Sequence, residues 1–151
     1  MDKIDLVRQY AKAWNNLNIK YIEPYLDEDF HYESQLVFNA ITSKDEYLKY
    51  LNCKFEIIKK SNDEGDSFLN AEIGIYQKDP CLILLQIHNE PKLTGSLTKF
   101  IMNGNEEWVN VTSKAIETVL LIKCKEDKLI RGDMCIVPTA LEVQRTGEMP
   151  T

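Results

Sequence analysis

Apolar residues at Ile4, Val7, Tyr10, Ala11, Trp14 and Leu17 recur every three or four positions, drawing one buried stripe along an amphipathic helix. Asn16 and Asn18 interrupt it. Ile19, Tyr21, Ile22, Tyr25 and Leu26 then predict a second, short helix, with Pro24 near the first turn, where its missing N–H matters least. The acidic trio Asp27, Glu28 and Asp29 is expected to end that helix. Phe30-His31-Tyr32-Glu33-Ser34 alternates as a strand does, and Val37 to Ile41 predicts another short one. Ser43, three residues before Glu46, forms a capping box in which each side chain can satisfy a backbone donor at a helix start. Tyr47, Leu48, Leu51, Phe55 and Ile58 give this third helix its buried stripe.

Beyond the polar run 59–66, broken at Gly65, the pattern becomes that of strands: Phe68–Gln77, Cys81–Asn89, Lys92–Met102, Lys114–Lys125 and Lys128–Val137. Short polar connections between them imply antiparallel neighbours. Helices first and strands afterwards indicate an α+β domain, one antiparallel sheet covered on one face by helices. Leu82 to Leu85 and Val119 to Ile122 are apolar on both strand faces, so a second cover is needed. Another copy of the same sheet supplies it most simply, and a homodimer packed sheet to sheet is expected. The domain is placed at 1–138, and 139–151, which lacks periodicity, is expected to be a loosely structured tail.

Composition narrows the partners. The chain has 151 residues and a formal charge of -6, which is not the basic footprint that nucleic acid requires. No apolar run approaches the length of a membrane span, and the first residues resemble no export leader, so a cytoplasmic location is expected. Cys53, Cys81, Cys124 and Cys135 are widely spaced and read as buried free thiols. The sequon Asn110-Val111-Thr112 acts only in a secreted chain and is set aside.

The succession of elements, with Tyr10-Ala-Lys-Ala-Trp14, Asn18-Ile19, Tyr25-Leu-Asp-Glu-Asp-Phe30-His-Tyr-Glu-Ser34 and the capped helix at Ser43 to Tyr47, resembles the nuclear transport factor 2-like superfamily, which includes SnoaL-like proteins of the cystatin-like fold. The resemblance spans residues 1–138 and implies a cone: three N-terminal helices on the concave face of a strongly curved antiparallel sheet, an apolar pocket at the open end, and dimerisation through the sheet. Members include isomerases, dehydratases, epoxide hydrolases, polyketide cyclases, binding proteins and assembly modules, so fold membership leaves function open. Aligned on the ketosteroid isomerase branch, Tyr10 falls on the oxyanion-hole tyrosine. Ser34 then stands in place of the general-base aspartate and Leu120 in place of the protonated acid. A serine hydroxyl cannot take a carbon-bound proton near neutral pH without a base of its own, so steroid isomerisation is not expected.

His88 shares a strand face with Gln86 and is the candidate acid–base group, with Tyr10 as the second catalytic candidate; a solvated strand-end histidine explains His88 as well. Alternation sends Tyr32 and Ser34 inward and His31 and Glu33 outward. Two histidines and no close cysteine pair give no metal site, and the nucleotide, phosphate and hydrolase strings are missing, so neither metal nor cofactor is expected. The candidate ligand-binding set is Tyr10, Trp14, Tyr32, Ser34, Phe38, Tyr47, Phe55, Gln86 and His88. Its rings suit a pocket for a small apolar or amphipathic molecule and a filled core equally. Three readings follow: a dimeric small-molecule binder; a lyase, isomerase or hydrolase in which His88 is the acid–base group and Tyr10 or Tyr32 polarises the substrate; and a non-catalytic assembly module.

Overall fold

A computed structural model describes the backbone of residues 1–35, 37–63, 67–89, 97–102, 105–110, 113–135 and 142–151, and, within these, every side chain except those of 37–38, 67–68, 86–89, 97–102, 105–110 and 113–117. The elements are helices α1 (Lys3–Asn16) and α2 (Lys44–Asp63), and strands β1 (Leu26–Ser34), β2 (Val37–Ile41), β3 (Ser67–Tyr76), β4 (Asp79–Asn89), β5 (Leu97–Met102), β6 (Asn105–Asn110), β7 (Ser113–Lys125), β8 (Lys128–Cys135) and β9 (Val143–Arg145). The fold is α+β, with a mixed seven-stranded sheet in the order β2-β1-β8-β7-β4-β3-β9 and a separate β5–β6 pair.

Helix α1 buries Leu6, Val7, Tyr10, Ala11, Ala13 and Trp14. It stops where Leu17 turns left-handed at φ 50°, directing its N–H to the carbonyls of Ala13 and Trp14. Ser43 caps α2 as expected, its Oγ accepting from the Glu46 N–H at 3.2 Å. Residues of α1 and α2 share one core with alternate residues of the sheet: Phe30 and Tyr32, Ala71 and Ile73, Leu82 and Leu84, Leu120 and Ile122.

Several expectations need correction. The second helix is two separate 3-10 turns, Ile19–Tyr21 and Glu23–Tyr25. Pro24 has no N–H to give to an α-helical ladder, and the bonds Ile22 to Ile19 at 3.1 Å and Tyr25 to Ile22 at 2.9 Å span three residues, with one four-residue bond, Leu26 to Ile22 at 3.1 Å, closing the second turn. The acidic trio lies inside β1, where the pairing with β8 shifts register between Leu26 and His31. The sheet is not wholly antiparallel, because β1 and β8 pair in parallel. They lie at opposite ends of the chain, and no short turn between them dictates their sense. The strand expected over Lys92–Met102 is described only as β5, residues 90–96 lying outside the description, and its partner β6 was not expected. Cys53 is exposed rather than buried; Cys81 is buried, and the two remaining thiols are intermediate.

The last correction concerns the tail. In place of a loose segment, β9 pairs antiparallel with the edge of β3, Gly74 opposite Arg145 and Tyr76 opposite Val143. Thr146 and Glu148 extend the contact by bonding the backbone of Ile73. Asn15 on α1 reaches the Ala71 backbone at 2.7 and 2.9 Å and the Pro150 carbonyl at 2.6 Å. Single polar residues make these bonds, and no periodicity announces them. On the sheet face away from the helices, Cys81, Ile83 and Val119 are 1%, 3% and 0% exposed within the single chain. A Cβ on Gly74 would come within 2.9 Å of both the Ile83 and Val143 side chains, so the missing side chain is what lets strand and tail meet. Part of the second face is thus covered by the chain itself.

Candidate functional site

Five members of the expected set converge. Tyr10 and Trp14 come from α1, one helical turn apart, Tyr47 and Phe55 from the buried stripe of α2, and Tyr32 from the inward face of β1; each is 2% exposed or less. The Tyr10 and Tyr47 hydroxyls are hydrogen-bonded to each other. The Tyr47 ring packs on Phe30 at 4.6 Å and on Tyr32 at 5.0 Å, and Tyr32 continues to Tyr50 at 5.5 Å. Trp14 meets Phe55 edge-on at 5.0 Å.

Burial pushes the Tyr10 and Tyr47 phenols well above their ordinary range, and it does the same at Tyr32, where the neighbouring Tyr47 and Tyr50 add to the effect. All three therefore stay protonated near neutral pH. They can donate hydrogen bonds to a carbonyl or phenol oxygen, but they cannot serve as bases. Ser34 is half-buried, on the same face as Tyr32. Leu120 is fully buried opposite Leu82 and Met134. At the rim of the cluster stands Lys54, its Nζ 5.7 Å from the Trp14 ring and 5.9 Å from that of Tyr50.

One polar atom inside is unsatisfied. The Trp14 Nε1 is buried with no hydrogen-bond acceptor among the described residues, in a side chain 2% exposed. A buried donor left in this state costs about 1–3 kcal/mol.

The remaining members are placed only in part. Phe38 lies in β2 and its side chain is outside the described residues. The backbone register sets Gln86 of β4 between Leu69 and Ile116, and His88 between Ser67 and Lys114; their side chains too are outside the description. His31 faces outward as expected, its Nε2 3.0 Å from Glu33, which also meets Arg131 at 3.2 Å. Among the described residues no three His, Cys, Asp or Glu side chains come together as metal ligands, and no helix is long and apolar enough to cross a membrane. Sequence reasoning missed Tyr50 and Lys54, which belong to the flank of α2 rather than to its buried stripe.

No family model and no curated protein matches the sequence. Solved structures do match: an NTF2-like protein of unknown function from Cytophaga hutchinsonii has a TM-score of 0.54 at 14% identity, over 93% of this chain and 94% of that one. AclR, a candidate hydroxylase from Streptomyces galilaeus, follows at 0.52 and 14% identity, over 90% of this chain and 75% of that one. A candidate polyketide cyclase from Pseudomonas putida reaches 0.51 at 13% identity, over 89% and 90%. The chain has the NTF2-like fold. At such identities the likeness speaks for the fold alone.

Proposed function

We propose that this protein binds a small amphipathic molecule among Tyr10, Trp14, Tyr32, Ser34 and Tyr47, an apolar body against the rings and one acceptor oxygen toward their donors. The unsatisfied Trp14 N–H carries this reading, since an acceptor brought by a ligand would relieve a cost the free protein bears. The neutral phenols beside it supply further donors, and they favour binding over proton abstraction. Phe38, Gln86 and His88 belong to the same proposal, as the strand contribution to the site. Helices on the concave face of a curved sheet would give that site its walls.

Thermal-shift screening with a panel of phenols and aryl ketones tests the reading. Binding to the native state alone raises stability by about 2.7 kcal/mol at a hundredfold excess over Kd. The shift should appear in the wild type and be lost in Trp14→Phe, which keeps the ring contact and removes the donor. No shift from any compound, or equal shifts in the variant, would overturn the proposal and favour an assembly module with a closed core.

The homodimer and the cytoplasmic location stay within the proposal, the former on narrower grounds. With Ile83 and Val119 covered by the chain itself, Leu85 and Leu121, both half-buried, are what the second sheet face still offers a partner copy. Sedimentation equilibrium at micromolar concentration should find a dimer that Leu121→Glu dissociates; a wild-type monomer would refute it.

A further inference from the structure

The outer flank of α2 carries a groove that shares only Tyr50 and Lys54 with the interior cluster. Lys49, Tyr50, Cys53, Lys54 and Ile57 line an open cleft of about 500 Å³. The five positions fall on two adjacent rows of the helix, Lys49-Cys53-Ile57 and Tyr50-Lys54, so one side of the helix presents them all. Ile57 is 70% exposed, and the other exposed large apolar side chains among the described residues, Met1 at 49% and Met149 at 47%, stand near the two ends of the chain. An isolated exposed isoleucine is ordinary. Here it shares a cleft with two cations.

Neither Lys49 nor Lys54 makes an ion pair among the described residues, although the chain carries a net charge of -6. The nearest acidic residues on α2 are Asp45 and Glu46, one turn before Lys49 and Tyr50 and outside the cleft lining, and Glu56, which is engaged by Lys59 at 3.3 Å. Lys54 is held instead against the rings of Trp14 and Tyr50, which position its ammonium without neutralising it. The cleft therefore combines apolar surface, two positive charges and no carboxylate among its lining residues.

We propose that this groove binds an amphipathic anion, a medium-chain carboxylate whose alkyl part lies along Tyr50 and Ile57 and whose head sits between Lys49 and Lys54. The chemistry is complementary at both ends: the chain covers Ile57, and the carboxylate supplies the counter-ion that the protein does not. The site does not depend on the interior ligand proposed above.

Titrating the full chain with octanoate, followed by backbone amide NMR, tests it. Saturable shifts are expected along residues 49–57, with 1-octanol binding at least about threefold more weakly. Lys49→Gln combined with Lys54→Gln should weaken octanoate about three- to tenfold, the scale of one or two exposed ion pairs, with the fold kept and only a small loss of stability from the ring contacts of Lys54. Tyr10→Phe, in the interior, should leave octanoate binding as it was. Absence of saturation, equal affinity for octanol, or loss of binding in Tyr10→Phe with retention in the lysine variant would each overturn the proposal, the last by placing the anion in the interior cluster.

Discussion

Cutting Trp14 back to alanine should cost about 3–5 kcal/mol of stability, whereas Trp14→Phe should change it by less than about 1 kcal/mol. The first substitution empties a site closed to solvent, removing the edge contact to Phe55 at 5.0 Å and the surface over which Lys54 lies. The second loses part of the ring area, worth about 1–2 kcal/mol. It also removes a buried N–H that has no acceptor, which returns about 1–3 kcal/mol. The two nearly cancel. Denaturant unfolding of the three proteins reads the comparison directly. A Trp14→Phe protein as unstable as Trp14→Ala would mean that the indole N–H is satisfied in solution, and the main support for the interior ligand site would go with it. The double result, stability kept and ligand lost, is what separates a binding residue from a packing residue at this position.

The parts of the fold that were legible in the sequence are those whose cause is local. A stripe with one period produced α1, a capping box produced the start of α2, and the two-residue turn at Gln77 and Lys78, both at positive φ, joins β3 to β4 within one residue of the expected boundary at Gln77. What could not be read depends on partners far along the chain. The parallel pairing of β1 with β8 links residues about a hundred positions apart. Strand β9 has three residues, and its attachment rests on Arg145, Thr146 and Glu148, polar side chains that look like those of any solvated tail. The same division runs through the site. Tyr10, Trp14, Tyr47 and Phe55 lie on helical stripes and could be grouped by period alone. Tyr50 and Lys54 join them from the flank of α2 because Tyr32 and Trp14, on other elements, come to meet them. Apolar patterning on both faces of a strand said correctly that a cover was needed; it could not say that the chain's own tail would supply part of it.

Arg145→Ala should then destabilise the protein by about 3 kcal/mol, more than Glu72→Ala, although the two residues form one ion pair. The pair is bidentate, Nε to Oε2 at 3.0 Å and NH2 to Oε1 at 2.9 Å. Its burial is uneven, with the Arg145 side chain 64% exposed and Glu72 only 4%. Removing Glu72 leaves a guanidinium that water can solvate. Removing Arg145 leaves a carboxylate under the tail with its main partner gone, and the least costly relief is for the tail to lift, which limits the penalty to the free energy of tail docking. The pH dependence identifies the cause. The hydrogen bonds from Arg145 hold the Glu72 carboxyl below its usual value, and burial opposes them only in part. In the wild type this contribution is complete above the unfolded glutamate pKa of about 4.3 and is lost as the pH falls through the lowered folded value. In Arg145→Ala, where the tail lifts and water reaches the carboxylate, that contribution is missing at every pH. The stability gap between the two proteins should therefore hold above about pH 5 and narrow as the pH falls below about 4. A gap that stayed constant down to low pH would show that the Arg145 side chain holds the tail by packing, and that the charge of Glu72 has no part in closing the second face of the sheet.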